Sequence, residues 1–160
     1  FGQRNQFAMG QGFQRTDGIR GFQIASPSVM GLLCVQSGFA MIERAGMLDI
    51  SDKAARGTDV MISLFDEWLA PLDFGLMTPR AAQQRGGHLT LYHPDGAAIA
   101  RGLRVEHKVV PDYREPGGIR IAMSPLATSY REVFDGLARL RDFMASGGYQ
   151  RYQGMTSVVS

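Results

Sequence analysis

The sequence predicts a small α/β fold, a mostly antiparallel sheet with helices on one face. Three observations carry this. Gly87-His88-Leu89-Thr90-Leu91-Tyr92-His93 alternates between polar and apolar residues, the mark of a half-buried strand. Two further apolar runs, His107 to Pro111 and Ile119 to Met123, flank a tight Glu115-Pro116-Gly117-Gly118 turn. Helix-forming stretches of 15 to 20 residues bracket these strands on both sides.

In chain order, Ser26-Pro27-Ser28 is expected to start the first helix, with Ser26 at the cap and Pro27 in the first turn. Val29 to Ala45 is apolar all round, which predicts a helix buried on most sides, stopped at Gly46. Ser51 to Leu69 places Val60, Met61, Leu64, Phe65 and Trp68 on one face, and Pro71 ends it. Phe74 to Met77 is a short strand candidate before the alternating strand at 87 to 93. Pro94-Asp95-Gly96 turns into a helix from about Ala97 to Arg104, and the two strands around the Pro-Gly-Gly turn follow. Thr128 or Ser129 caps the last helix, Tyr130 to Met144, whose inner face carries Val133, Phe134, Leu137, Leu140 and Phe143. Gly147-Gly148 stops it, and Tyr149 to Ser160 reads as a loose tail. The chain is therefore expected to divide into a segment 1–28, a domain 29–146 and a tail 147–160.

The 160 residues suffice for one domain with a proper core. Seventeen basic against 15 acidic residues leave a net charge of +2, so no attraction to nucleic acid or membrane follows from charge. No basic stripe interleaves with aromatics, no signal peptide is present, and no apolar run is long enough to span a bilayer. The single cysteine, Cys34, excludes an intrachain disulfide and is expected to be a small buried apolar side chain. The first 20 residues are rich in Gly, Gln and Arg yet carry Phe1, Phe7 and Phe13, the composition of a segment held by a neighbouring domain or subunit. The opening on Phe1 rather than Met points to a piece of a longer polypeptide.

The most informative stretch is Val109 to Leu126. It places one arginine, Arg120, in an otherwise apolar strand. A guanidinium there needs an anion, and its planar fork fits a carboxylate in bidentate fashion. Two readings follow: a carboxylate receptor on a rigid element, or a strand-end arginine that reaches solvent or pairs with Glu115 or Asp112. Other chemistry is sparse. His88, His93 and His107 have no helical metal-binding spacing, and no Walker, Rossmann or Gly-x-Ser-x-Gly motif occurs. His88 and Tyr92 share a strand face, where a satisfied core or edge pair explains them. Neither lysine, Lys53 nor Lys108, has the apolar setting of a Schiff-base lysine.

Several collinear segments belong together: Phe1-Gly2-Gln3-Arg4 with Phe7-Ala8-Met9, Gly18-Ile19-Arg20-Gly21-Phe22 leading to Ser26-Pro27, and Arg85-Gly86-Gly87-His88-Leu89-Thr90-Leu91. Val110-Pro111-Asp112-Tyr113-Arg114-Glu115-Pro116, Gly118-Ile119-Arg120 and Ser124-Pro125-Leu126 complete the series. In this order they resemble the C-terminal portion of kynureninase, a pyridoxal-phosphate enzyme of the aminotransferase-like fold type I. The resemblance runs to about Met144 and implies the fold of the small C-terminal domain of fold-type I enzymes. It implies hydrolysis of kynurenine or 3-hydroxykynurenine to an anthranilate and alanine, with pyridoxal 5'-phosphate as electron sink. It places the substrate-carboxylate arginine on Arg120, and on Ser26 a hydroxyl toward the cofactor phosphate of a neighbouring subunit. It puts residues 1 to 28 at a homodimer interface and the Schiff-base lysine in an upstream cofactor domain, so that this chain alone is expected to be inactive. Ala127 departs from the pattern, which has an aromatic residue there, and the tail has no counterpart. The class V aminotransferases and cysteine desulfurases share the strand arginine but not the Pro-Asp-x-Arg-Glu-Pro turn. A stand-alone α/β module without chemistry is the remaining alternative.

Overall fold

The computed structural model describes residues 2–7 and 10–155. Phe1, Ala8 and Met9 of the opening motifs, and residues 156–160 of the tail, lie outside the described residues. The chain divides into two compact units, Phe1–Arg44 and Ala45–Ser160.

In the first unit, backbone bonds from Arg4 to Gln14 (2.7 Å) and from Thr16 to Gly2 (2.8 Å) double the opening segment back on itself. A 3-10 turn, Gly18–Phe22, follows, and the Arg15 guanidinium lies over the Phe22 ring at 4.4 Å. Helix α1 is Val29–Ala45. Its cap is Ser28, not the expected Ser26: the Ser28 Oγ accepts from the Gly31 N–H at 3.1 Å, which leaves Pro27 ahead of the helix. The expected burial of this helix is also corrected, since none of its residues is buried and Phe39 is 66% exposed. Cys34, expected inside, is exposed with it. An apolar pattern around a helix says that its surface calls for cover, and says nothing of which polypeptide provides it.

The second unit begins at Ala45, and Gly46, with a φ of 82°, breaks the chain out of α1. Helix α2, Met47–Leu64, starts earlier than expected, because the Gly46 carbonyl accepts from the Ile50 N–H (3.1 Å) and opens the helix there. It passes into a π turn, Phe65–Leu69, and a 3-10 turn, Ala70–Leu72, that carries Pro71. Strands β1 (Gly75–Leu76) and β2 (His88–Tyr92) follow, then helix α3 (Gly96–Glu106), strands β3 (Asp112–Arg114) and β4 (Gly118–Ala122), and helix α4 (Tyr130–Ala145).

The four strands form one antiparallel sheet in the order β1-β2-β4-β3. Strand β3 begins later than the expected His107 to Pro111. Helix α3 runs on to Glu106, and the Val109 N–H turns back to the Leu103 carbonyl (3.2 Å). That closing bond, with Lys108 at a φ of 54°, makes 107–111 a helix exit.

Side chains alternate across the sheet. Leu89 and Leu91 of β2 pair with Ile121 and Ile119 of β4 on one face. That face packs against Met61 and Phe65, Ile99 and Leu103, and Val133, Leu137, Leu140 and Phe143 from the helical elements. Helix α4 opens on a complete capping box, in which Ser129 and Glu132 satisfy each other's backbone N–H groups. The expected loose tail instead continues into a 3-10 turn, Gly148–Tyr152. Tyr149 and Tyr152 pack against the core, the Tyr152 hydroxyl donates to Glu106 (2.6 Å), and Gln153 donates to Asp95 (2.8 Å). Two aromatic rings give this segment enough apolar surface to dock. Among the described residues no helix is long and apolar enough to cross a membrane.

Candidate functional site

The second face of the sheet carries the polar residues. His88, Thr90 and Tyr92 alternate with the buried Leu89 and Leu91 on β2, and Arg120 alternates with Ile119 and Ile121 on β4. The register sets Thr90 and Asp112 directly opposite Arg120, one on each side. Cross-strand neighbours on one face are close enough to interact, so Thr90, Arg120 and Asp112 form a row.

The Arg120 side chain is 39% exposed, and its Nη2 donates to the Asp112 Oδ2. The same carboxylate oxygen forms an ion pair with Arg114 Nη2 at 2.8 Å. Asp112 and Arg114 are two residues apart on β3 and therefore share this face. Of the two sequence readings for Arg120, the structure displays its pairing with Asp112. Two guanidiniums and one carboxylate leave the trio with a net positive charge. Arg114 had no role in the sequence reading, although its i, i+2 spacing from Asp112 in an extended segment was the signal.

Ser26 belongs to the first unit, where it is exposed ahead of the Ser28 cap. Its hydroxyl is a competent donor to phosphate. The Lys53 Nζ donates to the Pro125 carbonyl at 2.7 Å. Lys108 lines a cleft of about 380 Å³ with Val109, Ile121, Val133 and Arg139, a cleft that Arg120 does not line.

Arg85, quoted in the sequence only as part of a motif, proves to be a buried cation with its side chain 1% exposed. It donates to Thr58 Oγ1 (2.9 Å), to the Arg80 carbonyl and to Asp59, and so ties the segment before β2 to α2. His93, at the end of β2, is 7% exposed between Phe74 and Tyr149. Its Nδ1 accepts from the Asp95 N–H at 3.0 Å, which requires that nitrogen unprotonated. Burial pushes its pKa down, against a smaller upward pull from Asp95 and Asp73.

A family profile described as the kynureninase C-terminal domain matches residues 50–140, which hold the whole sheet and α3. A kynureninase from Pseudomonas fluorescens is 31% identical over 144 residues, covering 90% of this chain and 34% of that protein. A kynureninase from Shouchella clausii (strain KSM-K16) is 29% identical over 157 residues, covering 98% and 36%. One from Bacillus thuringiensis subsp. konkukian is 28% identical over 155 residues, covering 97% and 36%. The chain thus spans about a third of the length of the curated relatives it matches. By the profile match and these identities, the chain belongs to the kynureninase C-terminal domain family.

Proposed function

We propose that this chain supplies the substrate-carboxylate site of a kynurenine-hydrolysing enzyme. The substrate is kynurenine or 3-hydroxykynurenine, and the products are an anthranilate and alanine. The observation that carries the reading is Arg120. Its guanidinium is half-exposed on the sheet face opposite the core, in a chain whose residues 50–140 match the kynureninase C-terminal domain. An arginine fork on a strand presents its donors in a fixed plane, the geometry that binds and orients an α-carboxylate.

Pyridoxal 5'-phosphate, when bound, supplies the electron sink for the cleavage. The donor set here fits part of a site for it. Ser26 offers an exposed hydroxyl to the phosphate, in this reading that of a neighbouring subunit in a homodimer. A Schiff-base lysine is not offered: Lys53 is bonded to a backbone carbonyl and Lys108 lies in the cleft beside α4. Catalysis then needs an upstream cofactor domain, residues 1 to 28 form interface and linker, and the 160-residue chain alone releases no anthranilate. Tryptophan degradation in the cytoplasm is the setting that this activity implies.

The test is anthranilate release from L-kynurenine, followed by fluorescence, with the chain joined to its cofactor domain and with the Arg120→Ala variant. Release by the parent and its collapse in the variant, at unchanged cofactor absorbance, supports the reading. Equal release by both removes Arg120 from the reaction.

A further inference from the structure

The geometry points to Asp112 as the positioning residue for Arg120, with Arg114 setting the charge of the site. This rests on the proposed carboxylate-binding role of Arg120. The register places Asp112 opposite Arg120, and Asp112 Oδ2 accepts from Arg120 Nη2 while it forms an ion pair with Arg114 Nη2. A guanidinium carries five donors, and a contact at Nη2 leaves others for a second carboxylate. Asp112 therefore holds one corner of the fork while another edge stays available to the ligand. The hold matters because a free arginine side chain gives up rotamer freedom when it binds. An arginine pinned by a strand neighbour has already given up much of that freedom.

The pin carries a drawback that Arg114 corrects. An Arg120–Asp112 pair alone is neutral and attracts an anion weakly. The second guanidinium on the same oxygen restores a net positive charge and spreads the aspartate's negative charge over two partners. Alternation on β3 makes this possible, since Tyr113 takes the opposite face and leaves positions 112 and 114 side by side. The ligand class that this trio fits is a carboxylate.

The experiment uses the chain joined to its cofactor domain. Binding of L-alanine, the carboxylate-bearing product, is titrated calorimetrically beside L-alaninamide, which lacks the carboxylate. Asp112→Ala and Asp112→Asn should each weaken alanine binding about tenfold, the scale of the rotamer freedom that an unpinned arginine gives up on binding. Alaninamide binding should stay at the parental value, which also reports an intact fold. Arg114→Gln should weaken alanine binding about two- to fivefold, and Arg114→Lys should restore most of it, because an exposed charge acts at that scale. Raising the salt concentration should erase the Arg114→Gln effect and leave that of Asp112→Ala.

If both Asp112 variants bind alanine as tightly as the parent or tighter, Asp112 merely competes for the cation and the proposal is overturned. A separate outcome bears on the underlying reading. If Arg120→Ala still prefers alanine to alaninamide as the parent does, the carboxylate role of Arg120 falls, whatever the Asp112 variants do.

Discussion

Arg120 on β4 and Asp112 on β3 stand directly opposite each other in the antiparallel register, and their side chains pair on the sheet face away from the core. The pairing explains how a strand that buries Ile119 completely tolerates a cation at the next position. The cation points to the second face, and a neighbour already supplies its anion. The Arg120 side chain is therefore held by a strand neighbour.

Replacing that fork has a calculable scale. If Arg120 holds the substrate carboxylate as proposed, two charged hydrogen bonds of about 1.5 to 3 kcal/mol each are lost in Arg120→Ala, so kcat/KM for L-kynurenine should fall by at least about a hundredfold. Arg120→Lys should recover little, since an ammonium offers a point charge and no planar fork. Steady-state kinetics on the chain joined to its cofactor domain measures both. A lysine variant close to the parent would show that charge alone suffices.

Much of this architecture was legible in the sequence, and the exceptions have physical reasons. The alternation of His88-Leu89-Thr90-Leu91 and the apolar face of Tyr130 to Met144 each record one element packed on one core, so strand and helix were found nearly to the residue. Helix α1 misled because its apolar surface calls for cover that its pattern does not locate. Residues 107–111 misled because Val109 and Val110 have high β propensity, while a backbone bond from Val109 to Leu103 closes a helix instead. The Arg120–Asp112 pair was foreseen as one alternative. Arg114 was not: its i, i+2 spacing from Asp112 marks a shared face only if 112–114 is extended, and the strand was expected to end at Pro111.

Arg85 should govern stability. Its guanidinium is buried, while its partner Asp59 is 63% exposed. Asp59→Asn therefore strands a buried cation and should cost about 2 to 4 kcal/mol, below the full cost of breaking a wholly buried pair. Arg85→Lys should cost a similar amount, because one ammonium cannot reach Thr58, Arg80 and Asp59 in the same plane. Urea unfolding followed by the fluorescence of Trp68, the single tryptophan, measures both. An unchanged midpoint in Asp59→Asn would mean that the carbonyl and hydroxyl contacts alone satisfy the cation.

His93 should make stability depend on pH. Its folded-state pKa lies below the ordinary histidine value, chiefly through burial. The unfolded chain then binds a proton at a pH where the folded chain does not. The stability contribution is complete above the unfolded pKa, about 6.5, and is lost as pH falls from there through the folded pKa. Thermal midpoints should drop between pH 7 and pH 5. In His93→Asn, which keeps an acceptor for the Asp95 N–H but does not titrate, that drop should shrink. Parallel curves for the two proteins would assign the pH dependence to other groups.

Two glycines separate a rigid contact from a soft one. A Cβ on Gly96, at the start of α3, would lie 2.5 Å from the Gly117 carbonyl oxygen and 2.9 Å from its Cα. These are backbone atoms, and Gly117 itself needs its φ of 108°, so neither side can give way cheaply. A Cβ on Gly57, within α2, would meet only the end of the Met123 side chain and, at 3.7 Å, Tyr130. Methionine has three rotatable bonds and can move aside, and alanine gains about 1 kcal/mol of helix propensity over glycine. Gly96→Ala should therefore cost about 1 to 3 kcal/mol, as overpacking does, and Gly57→Ala less than about 1 kcal/mol. The first variant should also reach the site. His93 N–H bonds to the Gly117 carbonyl (3.1 Å), and Gly117 ends the turn that sets β3 against β4. Pushing that turn outward moves Asp112 relative to Arg120, so if Arg120 holds the substrate carboxylate as proposed, Gly96→Ala should raise the KM for L-kynurenine while Gly57→Ala leaves it unchanged. Equal unfolding midpoints for the two variants would show that the turn yields as readily as a methionine does.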